Sequence, residues 1–245
     1  MPLANPVEEA RRIAQATGET GIPLRFTGGV GVALCSPSAS MPPLQRAYQD
    51  LDAVVPSKQA RAVGTLLMEL GYVEDEQFNA VHGGERLIFF DPHSARHVDL
   101  FFERIQLCHK LDLRGRLSGE GPALDPADLL LMKLQVVEAN RKDLTDICAI
   151  ATDHAFEPGG EGVDLGYLVR LTSDDWGLWR TTTMIAQRVI DFAGSFAELP
   201  SAALVVERLQ AFVDASAQAP KSRGWKLRAR VGDRVRWYEL PEEKD

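Results

Sequence analysis

The stretch FTGGVGVALC, residues 26–35, sets a glycine pair directly after an apolar segment and follows it with small apolar residues. Just upstream, IPLRFTGG has the make-up of a short strand that ends in glycines. VGVALCS then reads as the opening of a helix whose small side chains let it lie close to a sheet. Taken alone, the pair fits two arrangements. It is either a tight packing turn between strand and helix, or a turn whose backbone N–H groups can approach a phosphate.

Working outward, residues 6–17 carry Val7, Ala10, Ile13 and Ala14 at helical spacing, with Pro6 near the start and Gly18 beyond the end. Residues 36–47 hold three prolines and several serines and read as an extended loop. DLDAVVP is a strand closed by Pro56, and SKQARAVGTLLMELGY is a helix with Ser57 as N-cap and Gly71 as stop. ERLIFFDP and RHVDLFFER form a strand pair around a Pro/His/Ser turn. In the second half, DPADLLLMKLQVVEANRKDLTDICAIATDH gives one or two helices, with Asp125 as cap and Pro126 in the first turn. Residues 164–193 and 200–216 also read as helical, and WKLRARVGDRVRWYEL alternates on both sides of Gly232-Asp233 like a β-hairpin. The expected organisation is a mixed core over 1–116, a helical lobe over 117–220 and a hairpin tail over 221–245, an α+β protein.

The 245 residues are 45% hydrophobic, enough to bury a core without metals or disulfides. Three cysteines (Cys35, Cys108, Cys148) without a CxxC spacing argue for a reducing, cytoplasmic setting and against structural zinc. No signal-peptide-like segment and no apolar run of membrane-spanning length is read, so no membrane partner is expected. The net charge of −8 argues against non-specific nucleic-acid binding by the whole chain. Residues 221–236 are the exception, with seven basic residues against Asp233 alone.

Three carboxylates stand out in the first lobe. Asp50 and Asp52, in QDLDAVV, are two apart, so a strand points both to one face. Asp99 interrupts the apolar strand RHVDLFF, where a carboxylate is costly without a partner. If these strands are neighbours, the three repel one another unless a cation is held, and oxygen ligands of this kind suit Mg²⁺. His93 and His97 are spaced H-x₃-H but flank a turn, a poor zinc geometry. The Trp/Arg tail around Trp225 and Trp237 reads either as an RNA-binding ribbon or as a protected edge hairpin.

In this order the pieces resemble the nucleotidyltransferase superfamily that includes DNA polymerase β. The resemblance rests on the Gly28-Gly29 turn at a strand end, the Asp50/Asp52 pair on the next strand and Asp99 on a later one. More narrowly, the chain looks like the branch holding type IV toxin–antitoxin nucleotidyltransferase toxins and small antibiotic nucleotidyltransferases. Arg46, four residues before Asp50, is typical of that branch, whereas Tyr48 stands where it commonly has Thr. The segment DLLLMKLQVVEANRKDLTDI supplies the branch's helical Lys133 and its basic-then-acidic cluster of Arg141, Lys142, Asp143 and Asp146.

The resemblance implies a polymerase β-like core, a mixed sheet flanked by helices. It implies transfer of an NMP from an NTP, such as ATP, to an acceptor, with release of pyrophosphate. Asp50, Asp52 and Asp99 would hold one or two Mg²⁺ ions, Asp99 alternatively serving as base. Gly28, Gly29, Arg46 and Lys133 would contact the nucleotide, with Lys133 also counted as catalytic and Asp143 holding Lys133 or Arg46. The acceptor is open among a small molecule, a tRNA and a protein, and the resemblance leaves room for an antitoxin-like partner. Two other readings stand beside this one: a non-catalytic nucleotide- or partner-binding relative, and a metal-dependent hydrolase that uses water as nucleophile.

Overall fold

The computed structural model describes residues 1–240. The chain groups into two compact units. One comprises Met1–Cys35, Ala47–Ile105 and Lys110–Leu124; the other comprises Ser36–Arg46, Gln106–His109 and the residues from Asp125 onward. No helix among the described residues is long and apolar enough to cross a membrane.

In the first unit, α1 (Pro6–Glu19) starts where Asn5 Oδ1 accepts from the N–H groups of Val7 and Glu8 at 2.9 and 3.2 Å. Pro6 takes the first position, where a missing N–H is harmless. Strand β1 (Arg25–Thr27) runs straight into α2 (Gly28–Cys35), as the glycine-rich stretch predicts. Strand β2 (Leu51–Val55) follows, then α3 (Ala60–Glu69), β3 (Val73–Glu74), α4 (Glu76–His82), β4 (Arg86–Phe90) and β5 (His97–Phe102). Two short strands, β6 (Arg104–Gln106) and β7 (Lys110–Asp112), make a separate ribbon. Ser57 does not cap α3. It opens a short 3-10 turn, and its N–H and hydroxyl go to the Glu103 carboxylate at 2.5 and 3.1 Å.

The five main strands form one mixed sheet in the order β1-β2-β5-β4-β3, with β2 and β5 parallel and the other neighbours antiparallel. Alternation then sorts the side chains onto two faces. On one face Phe26, Leu51, Ala53, Val55, Val98 and Leu100 pack with Ile13 of α1, Val30 of α2 and Val63 and Leu67 of α3. Each large, fully buried side chain there contributes roughly 1.5–3 kcal/mol. The opposite parity places Thr27, Asp52, Asp99, Ile88 and Arg86 on the other face. Residues 122–124 extend the β1 edge, with Phe26 N–H donating to Pro122 O at 2.8 Å and Leu124 N–H to Phe26 O at 2.9 Å.

The second unit is helical: α5 (Pro126–Leu134), α6 (Arg141–Asp153), a minimal parallel pair β8 (Phe156–Glu157) and β9 (Val163–Asp164), then α7 (Leu165–Asp174), α8 (Trp176–Ser195), α9 (Ala202–Gln218) and α10 (Arg223–Val231). Its core gathers fully buried Leu130, Ile147, Leu168, Ile185, Val205 and Phe212.

The expected terminal β-hairpin is a correction. Residues 223–231 are α10, capped by the Ser222 hydroxyl on Trp225 N–H at 3.1 Å. Gly232, read from sequence as a hairpin turn, ends the helix at φ +60. The physical reason is tertiary. Trp225 and Arg228, three apart, dock together, Trp225 edge-on to Trp179 at 5.2 Å and Arg228 over the Trp176 ring at 4.5 Å. Only a helix brings those two to one side. The last part of the expected hairpin, residues 241–245, lies outside the described residues.

Candidate functional site

In the first unit the glycine turn and two of the three carboxylates meet. Thr27 pairs with Asp52 across β1–β2, and Asp52 with Asp99 across the parallel strands β2–β5. Both aspartates are half-buried on the sheet face opposite the core. Gly28 opens α2 at φ +61, a left-handed conformation that side chains rarely adopt, and a Cβ there would collide with Asp52 Oδ2. The glycine is therefore required twice, by its own dihedral and by the carboxylate against it. Gly29 is half-buried in the same first helical turn, whose N–H groups have no acceptor inside the helix. A helix start beside two carboxylates joins a positive dipole end to a negative pair.

Asp50 is placed differently. It precedes β2, is exposed, and its Oδ1 accepts from His97 N–H of β5 at 3.1 Å, so the side chain lengthens the β2–β5 ladder by one bond. Among the described residues no group of three or more His, Cys, Asp or Glu is gathered so as to hold a metal ion. The pair Asp52/Asp99 is what the register brings together, with Asp50 turned to the neighbouring strand. His97 packs edge-on to Phe90 at 4.7 Å, and His93 N–H donates to Asp91 Oδ1 at 2.9 Å, so their spacing serves the turn.

Sequence reasoning missed Arg86. On β4, diagonal to Asp99, its Nη1 lies 3.9 Å from Asp99 Oδ1, and its guanidinium also covers the Phe78 ring at 4.9 Å. It supplies part of the positive charge that a carboxylate pair needs. The signal was available, because Arg86 opens an apolar strand that pairs antiparallel with the strand of Asp99. Thr27 was also missed: it is 1% exposed, and its hydroxyl has no hydrogen-bond partner among the described residues.

In the second unit the remaining residues form a network around Asp146. Arg46 grips it through both oxygens, Nε to Oδ1 at 2.8 Å and Nη2 to Oδ2 at 2.7 Å. Lys133 Nζ lies 2.8 Å from the same Oδ2 and donates to Asp143 Oδ1 at 2.9 Å. Asp143 in turn accepts from Asn140 N–H at 3.1 Å, closing a capping box that starts α6. Burial works against the charge on Lys133, but Asp146 and Asp143 outweigh it and hold the ammonium above its ordinary value. The reading of Asp143 as the holder of Lys133 agrees with this geometry. Asp146, at 1% exposure, is the hub on which both cations depend.

Tyr48, at the position where the resembled branch commonly has Thr, packs against the sheet core. No protein-family model matches the chain, and no curated protein matches its sequence.

Proposed function

We propose that the chain is a Mg²⁺-dependent nucleotidyltransferase with a polymerase β-like core, transferring an NMP from an NTP to an acceptor. One observation carries this: Asp52 and Asp99 are register neighbours on adjacent parallel strands, with the glycine start of α2 held against Asp52. Carboxylate oxygens are the hard donors that Mg²⁺ takes alongside water and substrate phosphates, so Asp52 and Asp99 fit it, with Asp50 as the neighbouring carboxylate. Bound there, the ion would neutralise charge on the triphosphate.

The residues' own roles follow from charge and position. The first-turn N–H groups at Gly28-Gly29 donate to the oxygens of the phosphate groups that become pyrophosphate. The acceptor oxygen bonds to the α-phosphorus, the bond to the bridging oxygen breaks, and pyrophosphate leaves with the electron pair. Asp99, in the alternative to holding a metal ion, takes the acceptor's proton. For Arg46 and Lys133 the resemblance implies contacts with the triphosphate. Asp146 and Asp143 fix the position and charge of both within their own unit.

Arg86 and Asp50 favour a second reading, a binding relative without catalysis. Arg86 already offsets Asp99, and Asp50 is committed to His97 N–H. Incubation with each α-labelled NTP and Mg²⁺ separates the two. Label transferred to protein, RNA or a small molecule, lost in Asp52→Asn and Asp99→Asn, supports transfer. Label released as free NMP points to the hydrolase. Tight NTP binding without turnover points to the binding relative.

A further inference from the structure

The C-terminal basic segment is not absorbed by the proposed site. Of 27 basic and 35 acidic residues, seven and one fall within residues 221–236, leaving 20 against 34 elsewhere. An acidic chain thus carries a net positive charge on one short segment. Within it, α10 divides its residues by face. Trp225 packs on Trp179, Arg228 covers Trp176 and donates to Gly232 O and Val235 O, and Asp233 is held by Arg180 at 2.9 Å. The other face presents Arg223, Lys226 and Arg230, three and four residues apart and all exposed, with exposed Arg234 just beyond the helix. From Arg223 to Arg230 this line of cations runs about 10 Å along the axis.

We infer that this row of cations on α10 is a docking surface for the phosphodiester backbone of single-stranded RNA. Charge complementarity carries the inference: a repeated line of guanidinium and ammonium groups meets a repeated line of phosphates, and arginine matches phosphate oxygens in a fork. The aromatic rings do not read bases. Trp237 packs edge-on to Trp176 at 5.8 Å and donates its indole N–H to Thr181 Oγ1 at 3.0 Å, and Trp225 is turned inward to Trp179. Recognition is therefore of the backbone and indifferent to sequence. A membrane surface fits less well. Helices that lie on membranes bury a continuous apolar face, whereas the apolar side of α10 is spent on α7 and α8 and only Leu227 and Val231 remain outward, 62% and 40% exposed.

The test uses the full chain and fluorescence anisotropy with a labelled single-stranded RNA of about 20 nucleotides. With four cations engaged, the logarithm of affinity falls with the logarithm of salt at a slope of about −3. That is a loss of about fiftyfold between about 50 and about 200 mM salt. Removing three charges in Arg223→Gln/Lys226→Gln/Arg230→Gln should weaken binding on the order of a hundredfold at the lower salt and flatten the slope by about 2. A shuffled RNA should bind equally. All three side chains are exposed, so an unchanged far-UV circular dichroism spectrum certifies the fold of the variant. Three results overturn the inference: wild type that does not bind RNA, a triple variant that binds like wild type, or binding to phosphatidylserine/phosphatidylcholine vesicles without binding to RNA. The outcome does not depend on nucleotide transfer, because no NTP is present.

Discussion

Asp146→Asn tests the hub of the second unit with little change of shape. Wild-type Asp146 is 1% exposed and neutralises Arg46 through two bonds and Lys133 through one. The amide removes the carboxylate charge from both cations and leaves Lys133 with Asp143, which is also engaged in its capping box. Removing one partner of a buried ion pair costs about 3–5 kcal/mol. The Arg46 side chain keeps 18% exposure, so water takes up part of its charge and the lower end, about 3 kcal/mol, is expected. At about 2–4 °C per kcal/mol, the melting temperature drops by about 6–12 °C. All four tryptophans (Trp176, Trp179, Trp225 and Trp237) lie in this unit, so urea unfolding followed by tryptophan fluorescence reports on it directly. Lys133→Met is the informative companion. It leaves Asp146 with Arg46 and Asp143 with Asn140 N–H, so it should cost only about 1–2 kcal/mol. An Asp146→Asn variant within about 0.5 kcal/mol of wild type, or a Lys133→Met variant that is the less stable of the two, would refute the hub.

At Gly28, alanine meets both an unfavourable dihedral, about 1–2 kcal/mol, and the Asp52 carboxylate. Gly28→Ala should therefore destabilise the first unit by more than that dihedral cost, and Asp52→Ala on the same chain should recover the excess, as urea unfolding at 222 nm in a double-mutant cycle would show. Burial holds the His109 imidazole below its ordinary value of 6.5, partly opposed by Asp175, and its Nε2 lies 2.8 Å from the Thr181 hydroxyl that receives Trp237 N–H. A depressed folded value means that this contribution is complete above pH 6.5 and is lost as pH falls through the folded value. Acrylamide quenching of tryptophan should accordingly rise on acidification below 6.5, and much less in His109→Gln. Ser222→Ala removes the cap of α10 and should cost about 1 kcal/mol, read as faster amide exchange in the first turn of α10.

The strand–helix junction at Gly28 and the strands of Asp52 and Asp99 were legible in the sequence, because a core face imposes strict alternation on Leu51, Ala53, Val55, Val98 and Leu100. The segment around β3 and α4 was not. No residue of α4 is fully buried, so it carries no apolar stripe. It is held instead by the Asn79 amide, which exchanges two hydrogen bonds with the Ile88 backbone of β4 at 2.8 and 3.2 Å. The tail misled for a related reason. Its alternation of basic and apolar residues has the period of a strand, but the packing of Trp225 and Arg228 onto α8 decides for helix, and nothing local announces that partner. In the candidate site, residue types were readable while their pairings were not. Asp50 finds the His97 backbone 47 residues on, Asp99 finds Arg86 on the adjacent strand, and Asp146 holds Lys133 and, 100 residues away, Arg46.

The most direct test of the central claim is calorimetric titration of Mg²⁺ and a non-hydrolysable NTP into the full chain. Metal-dependent nucleotide binding by wild type is predicted, weakened at least ~10-fold by Asp52→Asn and by Asp99→Asn with the fold intact. Wild type that binds no metal–nucleotide, or binding that both substitutions leave unchanged, would contradict it.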